Sequence, residues 1–226
     1  MSATQGTYRD WVGTRYMPVI EAHLPHALVA VLQPDARVLE IGCYDGIVSC
    51  FVAAQLPMAT VQGVDINPAA VDAARLRASA GSLRNVRFEA SDALTVQGVY
   101  DAVITIRVLT CFPEAAEWHA LIAAVERLLR PGGCWYAVDY AFDDANPAYA
   151  RRYAEGERAG WRRGNFRVEA TRGQTLFVAH HHTKEEIACL RERFGNATIR
   201  TFESRSMNGN PATMFELLGY REEAAQ

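Results

Sequence analysis

The chain predicts an α/β fold: a doubly wound, mainly parallel seven-stranded sheet with an antiparallel C-terminal edge strand and a small lid insertion. Three observations carry this. Apolar runs of strand length alternate with segments of helical period from about Arg37 to Tyr140, the order that builds a parallel sheet covered on both faces. After Asp139 a polar, arginine-rich stretch interrupts the rhythm, and the last apolar runs are separated only by the turn sequence "NGNP".

Each element has its own signal. "ARVLEIG" reads as a strand and passes through glycines into a helix from about Gly46 to Gln55. "TVQGVD" is a second strand. "NPAAVDAARLRAS" is a helix with Asn67 as N-cap and Pro68 in its first turn, where a missing N–H costs nothing. "NVRFEAS" and "YDAVITI" give the third and fourth strands. From Glu114 to Arg130 a helix carries Trp118, Leu121, Ile122, Val125, Leu128 and Leu129 on one face. "RPGG" then turns the chain into "CWYAVDY". Asn146-Pro147 marks another helix start, and "TLFVAHHHT" a strand. Thr183 with Glu186 three residues on makes a capping box for "KEEIACLRERF". "ATIRTFES" and "TMFELLGYR" close the chain as strands. The expected division is one domain, with an N-terminal helical cap (1–35), a ligand-binding core (36–140), a lid (141–180) and a C-terminal helix with two strands (181–226).

Bulk properties exclude several functions. A net charge of −3 gives no general attraction to nucleic acid or anionic membranes. Five cysteines lie scattered without a C-x-x-C pair, against a disulfide framework or zinc knuckle. There is no apolar run long enough to span a membrane and no basic-then-apolar leader. The expected setting is the cytosol.

"VLEIGCYDGIVS" places an acid, Glu40, after buried apolar residues and brackets three residues between Gly42 and Gly46. A strand turning through glycines into a helix forms a ligand site above the strand end. A dinucleotide fingerprint would need glycine also at positions 44 and 47, where Tyr44 and Ile47 stand, and no Gly-Lys-Ser/Thr follows. The ligand therefore carries no pyrophosphate. Asp65 ends the second strand, where an acid accepts both hydroxyls of a ribose. Asp92 follows the third and would accept a hydrogen bond from an exocyclic amine such as that of adenine. Together they describe a nucleoside.

The ordered set "VLEIGCYDG", "VDINPAAV", "SDA", "YDAVITIRVL" and "LLRPGG" resembles the class I S-adenosylmethionine-dependent methyltransferases, closely over about Arg37 to Tyr140 and more loosely beyond. The resemblance implies a Rossmann-like fold with S-adenosyl-L-methionine as cofactor. Its glycine segment is acid-x-Gly-x-Gly-x-Gly; Glu40, Gly42 and Gly46 fit, and Tyr44 replaces the middle glycine. By the same resemblance Cys43 lies in the cofactor loop, Asp65 holds the ribose, Ile66 packs on adenine, Asp92 and Ala93 bound it, and Arg107 lies near the reacting end. Such enzymes often close the pocket with an N-terminal segment, which would bring Tyr8, Trp11 and Tyr16 near the sulfonium.

Catalytic candidates are His181, Asp139 and Arg107. In the triplet His180-His181-His182, alternation on a strand puts His180 and His182 on one face and His181 on the other. Two histidines do not fill a metal site, so no metal is expected, whereas a neutral imidazole suits a general base. Asp139 and Tyr140 close the fifth strand, at the rim where substrate would arrive. Tyr149 and Tyr153 read as packing residues and His119 as surface. The arginines at 151, 152, 158, 162, 163, 167 and 172 read as a solvated lid face, with attraction of an anionic substrate as the alternative.

No Asn/Asp-Pro-Pro-Tyr/Phe motif follows the fourth strand, which counts against amino-methylating enzymes of nucleic acid and protein. The expected activity is methyl transfer to an oxygen or nitrogen of a small metabolite, with no nucleic-acid or membrane partner and a homodimer left open. The alternatives are non-methyl chemistry on the same cofactor, such as cyclisation or decarboxylation, and a non-catalytic regulatory module.

Overall fold

Strands buried on both faces need side chains that are apolar in both directions, and the central strands of this chain have them. In the computed structural model, which describes residues 7–11, 23–169, 175–206 and 209–223, the strands β1 (Arg37–Ile41), β2 (Thr60–Asp65), β3 (Val86–Ala90), β4 (Tyr100–Ile106), β5 (Leu129–Tyr140), β8 (Gly195–Arg205) and β9 (Pro211–Tyr220) form one sheet in the order β3-β2-β1-β4-β5-β9-β8. The pairs among β1 to β5 are parallel. Antiparallel pairing falls at the C-terminal side, as expected, and β9 runs against both β5 and the outermost strand β8.

Alternation assigns the faces. Leu39, Ile41, Val103, Trp135 and Ala137 pack beneath Trp118, Leu121, Ile122 and Val125 of α4 (Ala115–Leu128) and Leu190 of α6 (Lys184–Arg193). Val38, Ala102, Ile104, Tyr136 and Val138 point the other way, against Leu28 of α1 (His26–Val29) and Val48 and Val52 of α2 (Ile47–Gln55). The first β-branched and aromatic set and the second are both fully buried, the condition for a doubly covered sheet. No helix among the described residues is long and apolar enough to cross a membrane, and all five cysteines are free.

Local signals act as read. The Asn67 side chain accepts hydrogen bonds from the Ala69 and Ala70 amides at the start of α3 (Pro68–Ala80). Both halves of the Thr183–Glu186 capping box form. Three readings need correction. Helix α4 ends at Leu128, and Leu129 already pairs with Tyr100, so β5 begins before "RPGG" rather than after it. Asn146 caps a turn through the Ala148 amide, and the lid helix α5 starts only at Ala150 (Ala150–Arg158). "TLFVAH" is indeed a strand, β7 (Thr175–His180), but it pairs with β6 (Asn165–Glu169), an unforeseen strand, in a separate two-stranded sheet.

One polar knot stands out in this core. Glu216 on β9 is buried and accepts from Arg200 (2.7 and 2.9 Å), Tyr136 (2.6 Å) and His23 (3.0 Å). Burial alone would raise its pKa, but these donors outweigh it and hold the carboxyl at about 2, against 4.5 when unfolded. Its stabilising contribution is thus full above pH 4.5 and fades as pH falls toward 2. Glu216→Gln is expected to lose about 2 kcal/mol at pH 7, and urea unfolding should show the gap to the native protein closing below pH 4.5. A gap that does not change with pH would contradict this assignment.

Candidate active site

The tips of the parallel strands open on a cavity of about 370 Å³, within the range of small-molecule sites. Strand order divides it in two. From β1 and β2 come Glu40, Ile41, Gly42, Cys43, Tyr44, Asp65 and Ile66, joined by Ser91 and Ala93 after β3. Across the sheet lie Arg107 after β4, Tyr140 at the end of β5, the lid residues Tyr149, Arg152, Phe166 and Phe177, His181, and Arg205 and Asn210 of the β8–β9 turn.

The loop after β1 explains the missing glycine. Gly42, Tyr44 and Gly46 all have positive φ (+71°, +46° and +74°), so Tyr44 holds the left-handed conformation that a glycine would take freely. This is uncommon for a side-chain-bearing residue and costs about 1–2 kcal/mol. It is held by its own N–H, which donates to Asp65 Oδ2 (2.9 Å), while Asp65 Oδ1 accepts from the Asn67 amide (2.8 Å). An ionised carboxylate has about four acceptor positions, so Asp65 keeps capacity for a ligand. Burial raises its pKa, partly offset by these amides.

Glu40 lies at the cavity wall and is 3% exposed. Burial pushes its carboxyl up to about 8, although Ser49 donates to it in a short hydrogen bond. Tyr8 reaches the same wall from the N-terminal segment, stacks on Phe112 at 4.5 Å and donates to Asp92 (2.8 Å).

Most sequence-selected residues meet here: Glu40, Gly42, Cys43, Asp65, Ile66, Ala93, Arg107 and His181 all line the cavity. Four do not fit. Gly46 is absent from the wall; a Cβ there would meet Phe88 Cζ at 2.7 Å and Ala74 Cβ at 2.8 Å, so this glycine serves helix packing. Asp92 is also absent from the wall, its oxygens taken by the Leu94 amide (3.0 Å), Tyr8 and Arg9 (3.1 Å). Asp139 is fully buried behind the wall and accepts from the Thr110 amide (3.3 Å) and its own neighbour Tyr140 (2.8 Å); burial raises its pKa to about 7. Tyr16 falls outside the described residues, as do Arg172 and the side chain of Trp11.

The histidines separate as alternation requires. His181 faces the cavity, stacks on Tyr140 at 4.8 Å, and its Nδ1 pairs with the Tyr153 hydroxyl at 2.6 Å. His180 bridges Asn165 (2.8 Å) and Glu186 (2.9 Å) on the far side. His180, His182 and Glu186 bring one ligand atom each within 4.8 Å. Yet Glu186 is already engaged by Arg162 (2.6 Å) and the Thr183 amide (2.8 Å). His180, Glu186, Arg162 and the Thr183 amide thus form a hydrogen-bonded network around the α6 cap, while both ring nitrogens of His182 are buried without a hydrogen-bond partner.

The lid arginines disperse. Arg151 pairs with Glu155, Arg162 with Glu186, and Arg163 with Asp144. Arg158 donates to the Ala154 carbonyl, and Arg167 lies over Trp161. Only Arg152 among them reaches the cavity. Tyr149 and Tyr153 pack as expected, with Tyr149 also on the wall, and His119 is exposed. Sequence reasoning missed Ser91, Phe166, Phe177, Arg205 and Asn210; Ser91 alone had a signal, its place beside a strand-tip acid.

The comparisons agree with this geometry. Residues 38–133 match a family model described as a methyltransferase domain. A fatty-acid O-methyltransferase of Mycolicibacterium smegmatis is 30% identical over 113 residues, covering 50% of this chain and 38% of that protein. A trans-aconitate 2-methyltransferase of Deinococcus radiodurans is 33% identical over 101 residues, covering 45% and 36%. The chain thus spans less than half the length of these curated relatives. The crystal structure of a SAM-dependent methyltransferase from Methanosarcina mazei superposes with a TM-score of 0.82 at 26% identity, covering 90% of this chain and 100% of that one. The strand order and these matches point the same way: residues 38–133 match a methyltransferase domain, on a fold shared with a SAM-dependent methyltransferase.

Proposed function

We propose that this chain binds S-adenosylmethionine in the acidic half of the cavity and transfers its methyl group to an oxygen or nitrogen of a small metabolite. The observation that carries the reading is the segregation of acidic and basic side chains. The acidic residues on the β1–β2 side are Glu40, Asp45 and Asp65, and the basic ones across the cavity are Arg107, Arg152 and Arg205. An acidic half with a ribose-accepting carboxylate and no phosphate cradle fits a cationic nucleoside.

Asp65 would accept the ribose hydroxyls, Ile66 and Ala93 would flank the base, and Glu40 with the Gly42–Cys43 backbone would face the amino-acid end. The bound cofactor supplies a methyl group already activated on positive sulfur. The protein's part is alignment and exclusion of water; Tyr8 and Phe112 form one side of that enclosure. The relatives' acceptors, a fatty acid and trans-aconitate by their names, support a small molecule. Five free cysteines support a reducing cytosol.

Titration with S-adenosylhomocysteine should show saturable 1:1 binding, and labelled S-adenosylmethionine should pass its methyl to a metabolite fraction. Binding without transfer to any fraction would reject methyl transfer and favour other chemistry on the same cofactor. Binding of a dinucleotide in its place would reject the site itself.

A further inference from the structure

We propose that the methyl acceptor is a small apolar carboxylic acid, docked through its carboxylate on Arg107 and Arg152 and methylated on a carboxylate oxygen to give an ester. The inference rests on the cofactor reading above and names the substrate class of the same cavity.

Three arginines line the acceptor half, and no Asp or Glu joins them on that wall. Elsewhere on this protein arginines find acids: Arg77 with Asp45, Arg130 with Asp101, Arg193 with Glu126, Arg200 with Glu216. Arg107, Arg152 and Arg205 form no ion pair among the described residues. Arg107 Nε is buried without any hydrogen-bond partner, and only its Nη2 reaches a protein acceptor, the Arg205 carbonyl at 3.3 Å. A buried guanidinium N–H left without a partner is costly unless an acceptor completes it. The backbone at Arg107 supports this role, since it holds φ +57°, a strained value kept by its N–H to the Val138 carbonyl (2.7 Å). Strain of this kind in a non-glycine residue concentrates at functional sites.

Arg152 comes from α5, with its guanidinium carbon 5.8 Å from the Tyr149 ring centre. It stands near enough to His181 to depress that imidazole's pKa further, beyond the effect of burial and of His180. The same lining includes the apolar side chains of Phe166, Val168, Phe177 and Ala179. A charged end and an apolar body are what this wall complements. Guanidinium is suited to both, since it pairs with carboxylate in a planar fork and stacks on aromatic faces.

His181 completes the recognition. The Tyr153 hydroxyl pairs with His181 Nδ1; in the tautomer where Tyr153 donates, the ring proton sits on Nε2, which makes no hydrogen bond to a described residue and then serves as a donor rather than a base. Asp139, the other candidate base, lies behind the wall. A carboxylate acceptor needs neither. Its oxygen lone pair forms the new C–O bond as the C–S bond breaks, and that bonding pair stays on sulfur. Sulfonium and carboxylate charges cancel into a neutral thioether and a neutral ester, and no proton moves.

The test offers octanoate, benzoate and cinnamate, each beside its primary amide and alcohol, with methyl-labelled S-adenosylmethionine. The acids should be methylated in preference, and alkali should release the label as methanol, as an ester requires. Arg152→Gln should raise KM for the best acid, and weaken its calorimetric binding to the S-adenosylhomocysteine complex, by roughly tenfold to a hundredfold. Arg152→Lys should recover part of this, and S-adenosylhomocysteine affinity should stay within about twofold in both variants, because the wall they alter is the far one. Equal use of amides or alcohols, alkali-stable label, or an Arg152→Gln protein that binds acids normally would each overturn the proposal. Loss of S-adenosylhomocysteine binding by the unaltered protein would instead defeat the cofactor reading.

Discussion

Replacing Asp65 with alanine should weaken S-adenosylhomocysteine binding by about 2–3 kcal/mol, a loss of roughly thirty- to a hundred-and-fifty-fold. Two effects combine. The carboxylate that would accept the ribose hydroxyls disappears, and hydrogen bonds to a charged group are the strong ones. The same carboxylate also restrains the β1 loop on its own side of the cavity, because Tyr44 keeps φ +46° with its N–H on Asp65 Oδ2. Asp65→Asn separates these contributions, since an amide oxygen can still receive one backbone N–H but carries no charge. Isothermal calorimetry of the three proteins decides the matter, with thermal melts confirming that each is folded. Affinity unchanged in Asp65→Ala would mean that the nucleoside lies elsewhere.

Gly42→Ala should destabilise the fold by about 2–5 kcal/mol, from two sources that can be measured apart. One is backbone strain, since Gly42 holds φ +71°, worth about 1–2 kcal/mol for any L side chain. The other is collision: an added Cβ would sit 2.4 Å from Val108 Cγ2, and overpacking of this kind costs about 1–3 kcal/mol. Gly209→Ala isolates the first, because Gly209 also has positive φ (+79°) yet nothing lies within 4 Å of the new atom. Val108→Ala in the Gly42→Ala background tests the second, and the pair should be less destabilised than the sum of the single changes. Guanidinium unfolding gives all four values. A Gly42→Ala protein as stable as Gly209→Ala would show that Val108 simply moves aside.

The alternating elements and the site loops were legible because burial on both faces leaves little freedom: strand runs are apolar throughout, and an acid at a strand tip interrupts them visibly. What stayed hidden depends on partners distant in sequence. Asp92 looked like a ligand-facing acid, but Tyr8, 84 positions away, takes its carboxylate. Strand β6 was missed because its burial pattern leaves only Asn165 and Phe166 buried, so the run resembles the arginine-rich lid around it. The end of α4 was misplaced because Leu129 continues the helical period and no cap residue contradicts it. Asp139 was readable in principle. Period two puts it on the same face as Trp135 and Ala137, under α4, while Tyr140 shares the other face with Tyr136 and Val138. Its neighbour was the wall residue, and alternation could have said so.

The reversed strand β9 has a consequence for how such a protein diversifies. Running against its neighbours, it starts beside the ends of β4 and β5, so Arg205 at the end of β8 joins Arg107 after β4 and Arg152 of α5 around one cavity. Glu40, Asp45 and Asp65, and Arg107 with them, lie inside 38–133, the stretch that matches the methyltransferase-domain model. On the proposed reading Arg152 and Arg205 lie outside that stretch, so this part of the acceptor wall can be exchanged by loop replacement while the cofactor loops are inherited intact.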